Sequence, residues 1–248
     1  PASGRLVVNA REESLQRVLQ RGCWSEVLRF GARREEPGVL RARGEPHAFD
    51  VLRGATRVGR VEWALSGEHN QLNALAAIGA AEHAGVAPEQ AARSLSQFEN
   101  VRRRLELRGE VRGVKVYDDF AHHPTAMRVT LDGLRRRAQQ ASTGGAMRVL
   151  AAFEPRSNTM KLGTMKAQLP WALEPADHAY CLQGPYGWSA REALAPMGPG
   201  ATVADDVPSL VQAIARDAQA GDHVVCLSNG SFGGIHQQLL DATSASRA

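Results

Sequence analysis

The chain has 248 residues, of which 43% are hydrophobic, 23% charged and 5% aromatic. This composition is typical of a globular protein and excludes a disordered, collagen-like or coiled-coil chain. The formal net charge is only +4. Because the arginines alternate with glutamates and lack aromatic platforms on which bases could stack, the sequence predicts no nucleic-acid partner.

Apolar runs such as NALAAIGAA are shorter than the roughly 18 to 20 residues that a membrane span requires, and the N-terminal PASGRLVVN lacks the regions of a signal peptide. We therefore expect a cytoplasmic protein without a membrane partner. Cys23, Cys181 and Cys226 are odd in number and widely separated, which favours neither a disulfide framework nor a CxxC metal site. The first residue is Pro rather than Met, which indicates a piece of a longer protein.

The chain up to about residue 65 contains short strand-like runs separated by glycines. These runs are RLVVN, VLRFG, GVLRARG, HAFDVLR and RVGRVEWAL, with one short helix, SLQRVLQRG, that ends at Gly22. The repeated strand–turn–strand pattern predicts an antiparallel sheet. Helical spacing of apolar residues then predicts one helix from His69 to Gly85 and a second that begins near Pro88.

Beyond residue 100, predicted strands alternate with predicted helices. The order is a hairpin over RLELRGEVRGVKVYDDF, helix 125–140, strand 148–153, helix 160–173, strand 178–182, a Gly- and Pro-rich loop to Gly200, strand 201–205, helix 208–219, strand 223–227 and helix 234–242. This alternation predicts an α/β fold with a Rossmann-like, doubly wound and mostly parallel sheet. The change of pattern near residues 100–102 predicts two domains, 1–100 and 101–248.

Three polar segments directly follow predicted strands of the second domain. They are DDFAHHP (118–124), EPRSNT (154–159) and SNGSFGG (228–234). Parallel sheets bind ligands beyond the carboxyl ends of their strands, where loops and helix N-termini present unpaired N–H groups. We therefore expect these segments to meet at one edge of the sheet and to form a binding site.

The first segment has two interpretations. Asp118, Asp119, His122 and His123 have residue types and a spacing that can converge on a divalent ion. Alternatively, one aspartate caps the following helix, and the histidines support neighbouring side chains without binding a ligand themselves. No further acidic or imidazole cluster in the sequence completes four ligands.

The other two segments suit anion binding and close backbone contact. Arg156 offers a planar fork for a carboxylate or phosphate, although one of Ser157, Asn158 and Thr159 is expected to cap a helix. The small residues of SNGSFGG allow a ligand to approach the backbone, or simply form a tight turn. The chain has no Walker loop, no GxGxxG and no GxSxG, so it is not a self-sufficient P-loop enzyme.

Five segments together resemble the Mur ligase family: HNQLNALAA, FENVRRRLE, VYDDFAHHPTA, FEPRSNTMKLG and LSNGSFGGIH. The resemblance covers residues 1–245 and is strongest to the members that attach the recycled tripeptide L-alanyl-γ-D-glutamyl-meso-diaminopimelate to UDP-N-acetylmuramate. Members that attach L-alanine are the alternative. The resemblance implies an ATP-dependent amide ligase that reacts through an acyl phosphate. It also implies that this chain holds the later part of the central ATPase domain, without its Walker loop, and the whole C-terminal substrate-binding domain.

The resemblance further implies roles for individual residues. Asn70 and Asn73 would contact adenine, Arg104 would lie near the nucleotide, and Asp119 would hold the ribose. The implied catalytic residues are Arg104, His122 and His123. The implied tripeptide-binding residues are His122, His123, Arg156, Ser157, Asn158, Ser228, Asn229, Gly233 and Gly234.

The Walker lysine, the Mg²⁺-binding acid and the uridine pocket of the family match nothing in the sequence. ATP and Mg²⁺ are therefore expected in the full-length enzyme, no metal is expected in this fragment, and the fragment alone is expected to be inactive. Residues 100–102 are the expected hinge between domains. Two other classes stay open: a metal-dependent hydrolase built on Asp118, Asp119, His122 and His123, and a binding module for a peptide or nucleotide.

Overall fold

The computed structural model describes residues 3–141 and 147–245, without the side chains of residues 140 and 141. Contacts divide the chain into two units, Pro1–Asn100 and Val101–Ala248, here called the first and the second unit. Each is described by itself. Within the described residues, no helix combines the length and the apolar character needed to cross a membrane.

In the described part of the first unit, five strands form one sheet in the order β1-β2-β3-β4-β5. The strands are β1 (Arg5–Asn9), β2 (Glu26–Phe30), β3 (Leu40–Glu45), β4 (Ala48–Arg53) and β5 (Thr56–Glu62). The helices are α1 (Glu13–Gln20), α2 (Glu68–His83) and α3 (Pro88–Leu95). Helices α2 and α3 pack on the sheet, and fully buried side chains such as Phe49, Val61 and Ile78 fill the layer between them.

The prediction of an antiparallel sheet is correct for β3, β4 and β5 but wrong for β1 and β2. β1 runs parallel to β2, and β2 meets β3 in parallel at the Phe30–Leu40 pair. The reason is the short helix α1, which lies between β1 and β2 in the chain. A helix between two neighbouring strands carries the chain back across the sheet, so the second strand starts from the same end as the first.

The second unit contains six described strands in the order β10-β9-β8-β11-β7-β6. They are β6 (Glu106–Val111), β7 (Val114–Asp119), β8 (Val149–Phe153), β9 (His178–Leu182), β10 (Ala201–Ala204) and β11 (His223–Leu227). The helices are α4 (Pro124–Ala141), α5 (Asn158–Lys161), α6 (Leu169–Leu173), α7 (Ala190–Leu194), α8 (Val207–Asp217) and α9 (Ile235–Ala245). Only the β6–β7 pair of the described sheet is antiparallel, which confirms the predicted α/β class.

Both faces of this sheet are covered. All five residues of β8 are buried. Val149, Ala151 and Phe153 belong to one core with α4, α6 and α7, whereas Leu150 and Ala152 belong to a second core with α8 and α9. A strand buried on both faces reads as an unbroken apolar run, which is why the sequence predicted it well.

Two segments differ from the prediction. The single helix expected over 160–173 is broken: α5 ends at Lys161, Gly163 has a φ of +72°, and α6 begins after a short 3-10 turn at Lys166–Gln168. A residue with positive φ ends a helix by turning the backbone away from its axis. The segment expected to be a loop up to Gly200 contains α7, where Ser189 caps the helix by accepting a hydrogen bond from the Glu192 amide.

An ion pair ties together the amino ends of β8 and β11. Arg148 donates from Nε to Asp222 Oδ1 at 3.0 Å and from Nη2 to Asp222 Oδ2 at 2.6 Å. The Asp222 side chain is only 3% exposed, and its Oδ2 also accepts from the Gln219 amide at 2.8 Å. This carboxylate therefore joins three parts of the unit.

The Asp222→Ala variant is expected to lower the free energy of unfolding by about 2 to 3 kcal/mol, because it leaves charged and backbone donors without their acceptor. The control is Asp205→Ala. Asp205 forms a similar two-bond pair with Arg191, but the two side chains are 70% and 54% exposed, so its melting temperature should stay near that of the wild type. Equal shifts for both variants, measured by thermal denaturation, would contradict the argument.

Candidate functional site

Strands β7, β8 and β11 are neighbours in the sheet and run parallel, so the three predicted segments share one edge. The Ser228 amide donates to the Asp119 carbonyl at 3.1 Å, and the Glu154 amide donates to the Leu227 carbonyl at 3.1 Å. The strand ends are thus joined directly where the polar segments begin. The expectation that these segments meet is confirmed.

Asp119 ends β7 with a side chain enclosed by donors. Its Oδ1 accepts from the Ala121 amide at 2.8 Å and from the Thr130 hydroxyl at 3.4 Å, while its Oδ2 accepts from the Leu105 amide at 2.9 Å. The residue is 2% exposed. Burial raises the pKa of Asp119, against the lowering effects of these hydrogen bonds and of the Arg104 charge. Among the described residues, these bonds use three of about four lone-pair positions of the carboxylate, so one remains on Oδ2.

Asp118, also buried at 4% exposure, faces a guanidinium and an imidazole. Arg103 Nε lies 3.1 Å from Asp118 Oδ2, and His236 Nε2 lies 3.4 Å from Oδ1. Burial by itself raises the pKa of Asp118, but His236 and Arg103 outweigh it and hold that pKa below the ordinary value. Asp118 is therefore an anion that supports the site from inside the unit.

Arg103 and His236 have no role in the sequence prediction. Arg103 belongs to a run of three arginines, Arg102 to Arg104, and the sequence alone does not distinguish among them. His236 lies just beyond the 228–234 segment. The signal that could have found it is a histidine in the first turn of the helix that follows the segment.

Phe120 is the aromatic centre of the first segment. The guanidinium carbons of Arg103 and Arg104 lie 5.2 Å and 6.0 Å from its ring centroid, and the His122 ring meets its edge at 5.3 Å. Phe120 is 37% exposed, and Arg104 is exposed. The ring thus lies beside both guanidinium groups, and Arg104 is exposed next to it.

The two histidines differ in their hydrogen bonds. His122 Nδ1 lies 2.9 Å from the Phe120 carbonyl, which can only accept, so Nδ1 carries the proton. His123 Nδ1 accepts from the Thr125 amide at 3.4 Å, so in the neutral ring the proton sits on Nε2. These tautomers follow from the hydrogen-bond partners. In the neutral rings, His122 therefore offers a lone pair at Nε2, and His123 offers a donor at Nε2.

Glu154 and Ser228 join the second and third segments. The Ser228 hydroxyl donates to Glu154 Oε2 at 2.5 Å and accepts from the Gly230 amide at 2.9 Å. Arg156 Nη1 lies 3.9 Å from Glu154 Oε1, and half of the Arg156 side chain is exposed. A Cβ added at Gly230 would come within 2.5 Å of Arg156 Cδ and 2.6 Å of its Nη1. Arg156 therefore lies across Gly230, a place that any larger residue would fill.

The remaining predicted peptide-site residues are distributed around this cluster. Ser157 caps α5 by accepting from the Met160 amide at 3.3 Å, as one interpretation of the segment predicted, and Asn158 is exposed. Gly233 and Gly234 have φ values of +57° and +70°. In the described part of the chain, the buried Asn229 Oδ1 accepts no hydrogen bond.

Asn70 and Asn73 lie in the first unit, on α2. Asn70 Nδ2 donates to the Ser66 carbonyl at 2.8 Å, which ties it to the loop before the helix. Asn73 is exposed.

The metal interpretation of the first segment has little geometric support. Among the residues that the structure describes, no group of three or more histidine, cysteine, aspartate or glutamate side chains is placed to hold a metal ion. The Asp118 and Asp119 carboxylates face the Arg103 guanidinium and backbone amides instead. A divalent ion would have to displace them.

A Rossmann-like unit whose polar segments follow three adjacent parallel strands defines a class of α/β enzyme domains. Residues 103–230 match the family described as "Mur ligase, glutamate ligase domain". The chain belongs to this family, as the five quoted segments indicated.

Two curated relatives match nearly the whole of this chain. The chain is 44% identical to the UDP-N-acetylmuramate–L-alanyl-gamma-D-glutamyl-meso-2,6-diaminoheptandioate ligase of Escherichia coli (strain K12), over 97% of this chain and 52% of that protein. It is 34% identical to a UDP-N-acetylmuramate–L-alanine ligase of Mycolicibacterium vanbaalenii, over 98% of this chain and 53% of that protein. The chain thus spans about half the length of the curated relatives it matches.

A solved structure is similar along the whole chain. The crystal structure of a murein peptide ligase from Psychrobacter arcticus 273-4 matches with a TM-score of 0.75 at 34% identity, over 100% of this chain and 53% of that one.

Proposed function

We propose that this chain is part of an ATP-dependent ligase that joins L-alanyl-γ-D-glutamyl-meso-diaminopimelate to UDP-N-acetylmuramate. The observation that carries the proposal is the 44% identity, across 97% of the chain, to a ligase named for this reaction, against 34% for an L-alanine ligase. Residues 1–100 would then be the later part of the ATPase domain and residues 101–248 the peptide-binding domain. Because the proposed substrates are ATP and a nucleotide-linked sugar, we also propose that the reaction takes place in the cytoplasm.

In this reaction ATP would phosphorylate the muramoyl carboxylate, and the amine of the tripeptide would attack the acyl phosphate. The new C–N bond forms through a tetrahedral intermediate, and the C–O bond to phosphate breaks as inorganic phosphate leaves. Positioning and electrostatic stabilisation dominate such phosphoryl chemistry. The second unit would contribute the positioning of amine and nucleotide.

Arg104 and Asp119 are the proposed nucleotide contacts of the second unit. Arg104 is exposed and held beside Phe120, where it can approach phosphate oxygens. Asp119 keeps one acceptor position on Oδ2, which suits a single ribose hydroxyl rather than both. Asn70 and Asn73 of the first unit are proposed to contact adenine.

The two histidines suit opposite tasks at the reacting carbon. The attacking amine carries N–H groups, and the Nε2 lone pair of His122 can accept a hydrogen bond from one of them. The tetrahedral intermediate carries an oxyanion, and the Nε2–H of His123 can donate to it. With the opposite tautomer, His122 Nε2 could not accept this hydrogen bond and His123 Nε2 could not donate one.

Arg156 is proposed to bind a carboxylate of the tripeptide, and the 228–234 segment to enclose that end of the peptide. The guanidinium is half exposed and lies over Gly230, so it can form two parallel hydrogen bonds to a carboxylate. Ser157, Asn158, Ser228, Asn229, Gly233 and Gly234 are proposed to line the same subsite.

Mg²⁺ is expected with ATP in the whole enzyme, but Asp118 and Asp119 do not fit a Mg²⁺ site. Asp118 is paired with Arg103, and Asp119 accepts two backbone amides. We therefore assign no step of the reaction to a metal held by these residues.

The test is acceptor choice in the full-length protein. The full-length protein is supplied with UDP-N-acetylmuramate, ATP and Mg²⁺. Addition of the tripeptide should lead to phosphate release and to a UDP-linked product that chromatography detects. Addition of L-alanine should lead to neither. The 248-residue chain by itself should form no product, since phosphoryl transfer needs a phosphate cradle that this sequence lacks. Preference for L-alanine would contradict the proposed substrate.

A further inference from the structure

One guanidinium connects three separate parts of the second unit. Arg103 donates from Nε to Asp118 at the end of β7, and from Nη2 to the carbonyls of Ser228 and Gly230 at 2.6 Å and 2.7 Å. Its guanidinium carbon also lies 5.2 Å from the Phe120 ring centroid. The residue stands before β6, yet it holds the segment that follows β11, 125 positions later in the sequence.

The backbone around Arg103 is unusual and firmly held. Arg103 and Leu105 have φ values of +61° and +47°, a region that non-glycine residues rarely adopt. The Arg103 amide donates to Glu106 Oε2 at 2.8 Å, and the Arg103 carbonyl accepts from the Phe120 amide at 2.8 Å. Such strain persists where surrounding contacts determine it, often at functional sites. The backbone of Arg104 is therefore fixed from both sides.

We propose that Arg103 is a positioning residue for the ligation reaction, an inference that rests on the proposed function. Its guanidinium does not contact substrate. Through Asp118 and the two carbonyls it sets the position of the 228–234 segment, and through its own backbone it sets the position of Arg104. The position of the proposed nucleotide contact, Arg104, and that of the proposed peptide-binding segment, 228–234, thus both depend on Arg103.

Arginine is needed for this arrangement because its planar fork reaches a carboxylate and two carbonyls at once, in directions that a lysine ammonium cannot match. The Arg103→Lys variant keeps the charge beside Asp118 and removes the fork. It therefore tests the geometry without leaving a buried carboxylate unpaired, and the unit should fold.

The first measurement is hydrogen exchange by mass spectrometry on the full-length protein. Arg103→Lys should speed exchange about tenfold in the peptide that covers 228–234. The matched control is Arg148→Lys, which removes a fork of the same kind that joins Asp222 to the Asp217 carbonyl at the opposite edge of the sheet. That variant should leave 228–234 unchanged. Unchanged exchange in Arg103→Lys, or equal changes in both variants, would overturn the proposal.

The second measurement separates positioning from general stability. At saturating substrates and well below the melting temperature, Arg103→Lys should lower kcat about tenfold with an unchanged KM for UDP-N-acetylmuramate, while Arg148→Lys should keep the wild-type kcat. Faster exchange together with a wild-type kcat would show that the segment is anchored but not used, and would overturn the positioning role. A wild-type protein without ligase activity would instead refute the proposed function, while the exchange result would still report on the anchor.

Discussion

In the full-length protein, Arg156→Ala is expected to raise the KM for the tripeptide about 30-fold, equivalent to about 2 kcal/mol, because a carboxylate loses its charged partner. The KM values for ATP and UDP-N-acetylmuramate should stay near those of the wild type. Arg156→Lys should recover little, since a lysine cannot form the paired hydrogen bonds of the guanidinium. Steady-state kinetics with each substrate varied in turn provides the measurement.

Gly230→Ala tests the same contact without removing the arginine. The added Cβ would lie within 2.7 Å of three atoms of the Arg156 side chain, so the flexible guanidinium should move aside while the fold survives. We expect a smaller rise in the tripeptide KM than for Arg156→Ala. Gly187→Ala is the matched control, because a Cβ there meets nothing within 4 Å. A raised KM for ATP, with the tripeptide KM unchanged, would place Arg156 on the nucleotide side.

Asp119→Asn is expected to destabilise the protein by about 2 kcal/mol and to raise the KM for ATP. One carboxylate oxygen becomes an amide group that only donates, so it faces the Ala121 or Leu105 amide without an acceptor. Asp132→Asn is the control for stability, because Asp132 is 40% exposed and its Arg128 partner is 4.0 Å away. Thermal denaturation and ATP kinetics measure the two effects.

The ribose assignment of Asp119 can be separated from its structural role. Of 2′-deoxy-ATP and 3′-deoxy-ATP, the analogue that lacks the bound hydroxyl should be a poor substrate for the wild type and should lose much less activity on mutation. Binding of UDP-N-acetylmuramate should be unaffected. If calorimetry on the full-length protein shows instead that Asp119→Asn abolishes a divalent-ion site, the metal interpretation is right and the ribose contact is wrong.

The sequence predicts the second unit well because its strands are buried on both faces. The predicted strands 148–153, 178–182 and 223–227 match β8, β9 and β11 within one residue at either end. The error at β1 and β2 arose because the sheet type was predicted from the strand pattern alone, although the sequence also predicted the short helix between the two strands. A short helix does not alter the local apolar pattern of its neighbours, so only the connection reveals that they are parallel.

The composition of the site is harder to predict than its location. Three polar segments after adjacent strands predict where the candidate site lies. The choice between Arg103 and Arg104, however, depends on backbone conformations with positive φ and on contacts to residues about 125 positions away. Glu154 accepts a hydrogen bond from Ser228, although 74 positions separate the two residues in the sequence. The residues next to each arginine in the sequence carry no information about such distant contacts. Only the folded structure therefore distinguishes Arg103, which supports the candidate site, from Arg104, which is exposed.

The position of β11 bears on how the protein is made. This strand is the last that the structure describes, yet it lies between β8 and β7 and hydrogen-bonds to both. During synthesis, the β6–β7 hairpin and the β8–β9–β10 sheet would emerge as two separate pieces with open edges, and unpaired edges of this kind invite wrong partners. Only when residues 223–227 leave the ribosome can the pieces join. A stop codon shortly before this strand would therefore be expected to yield an aggregating product rather than a slightly smaller protein.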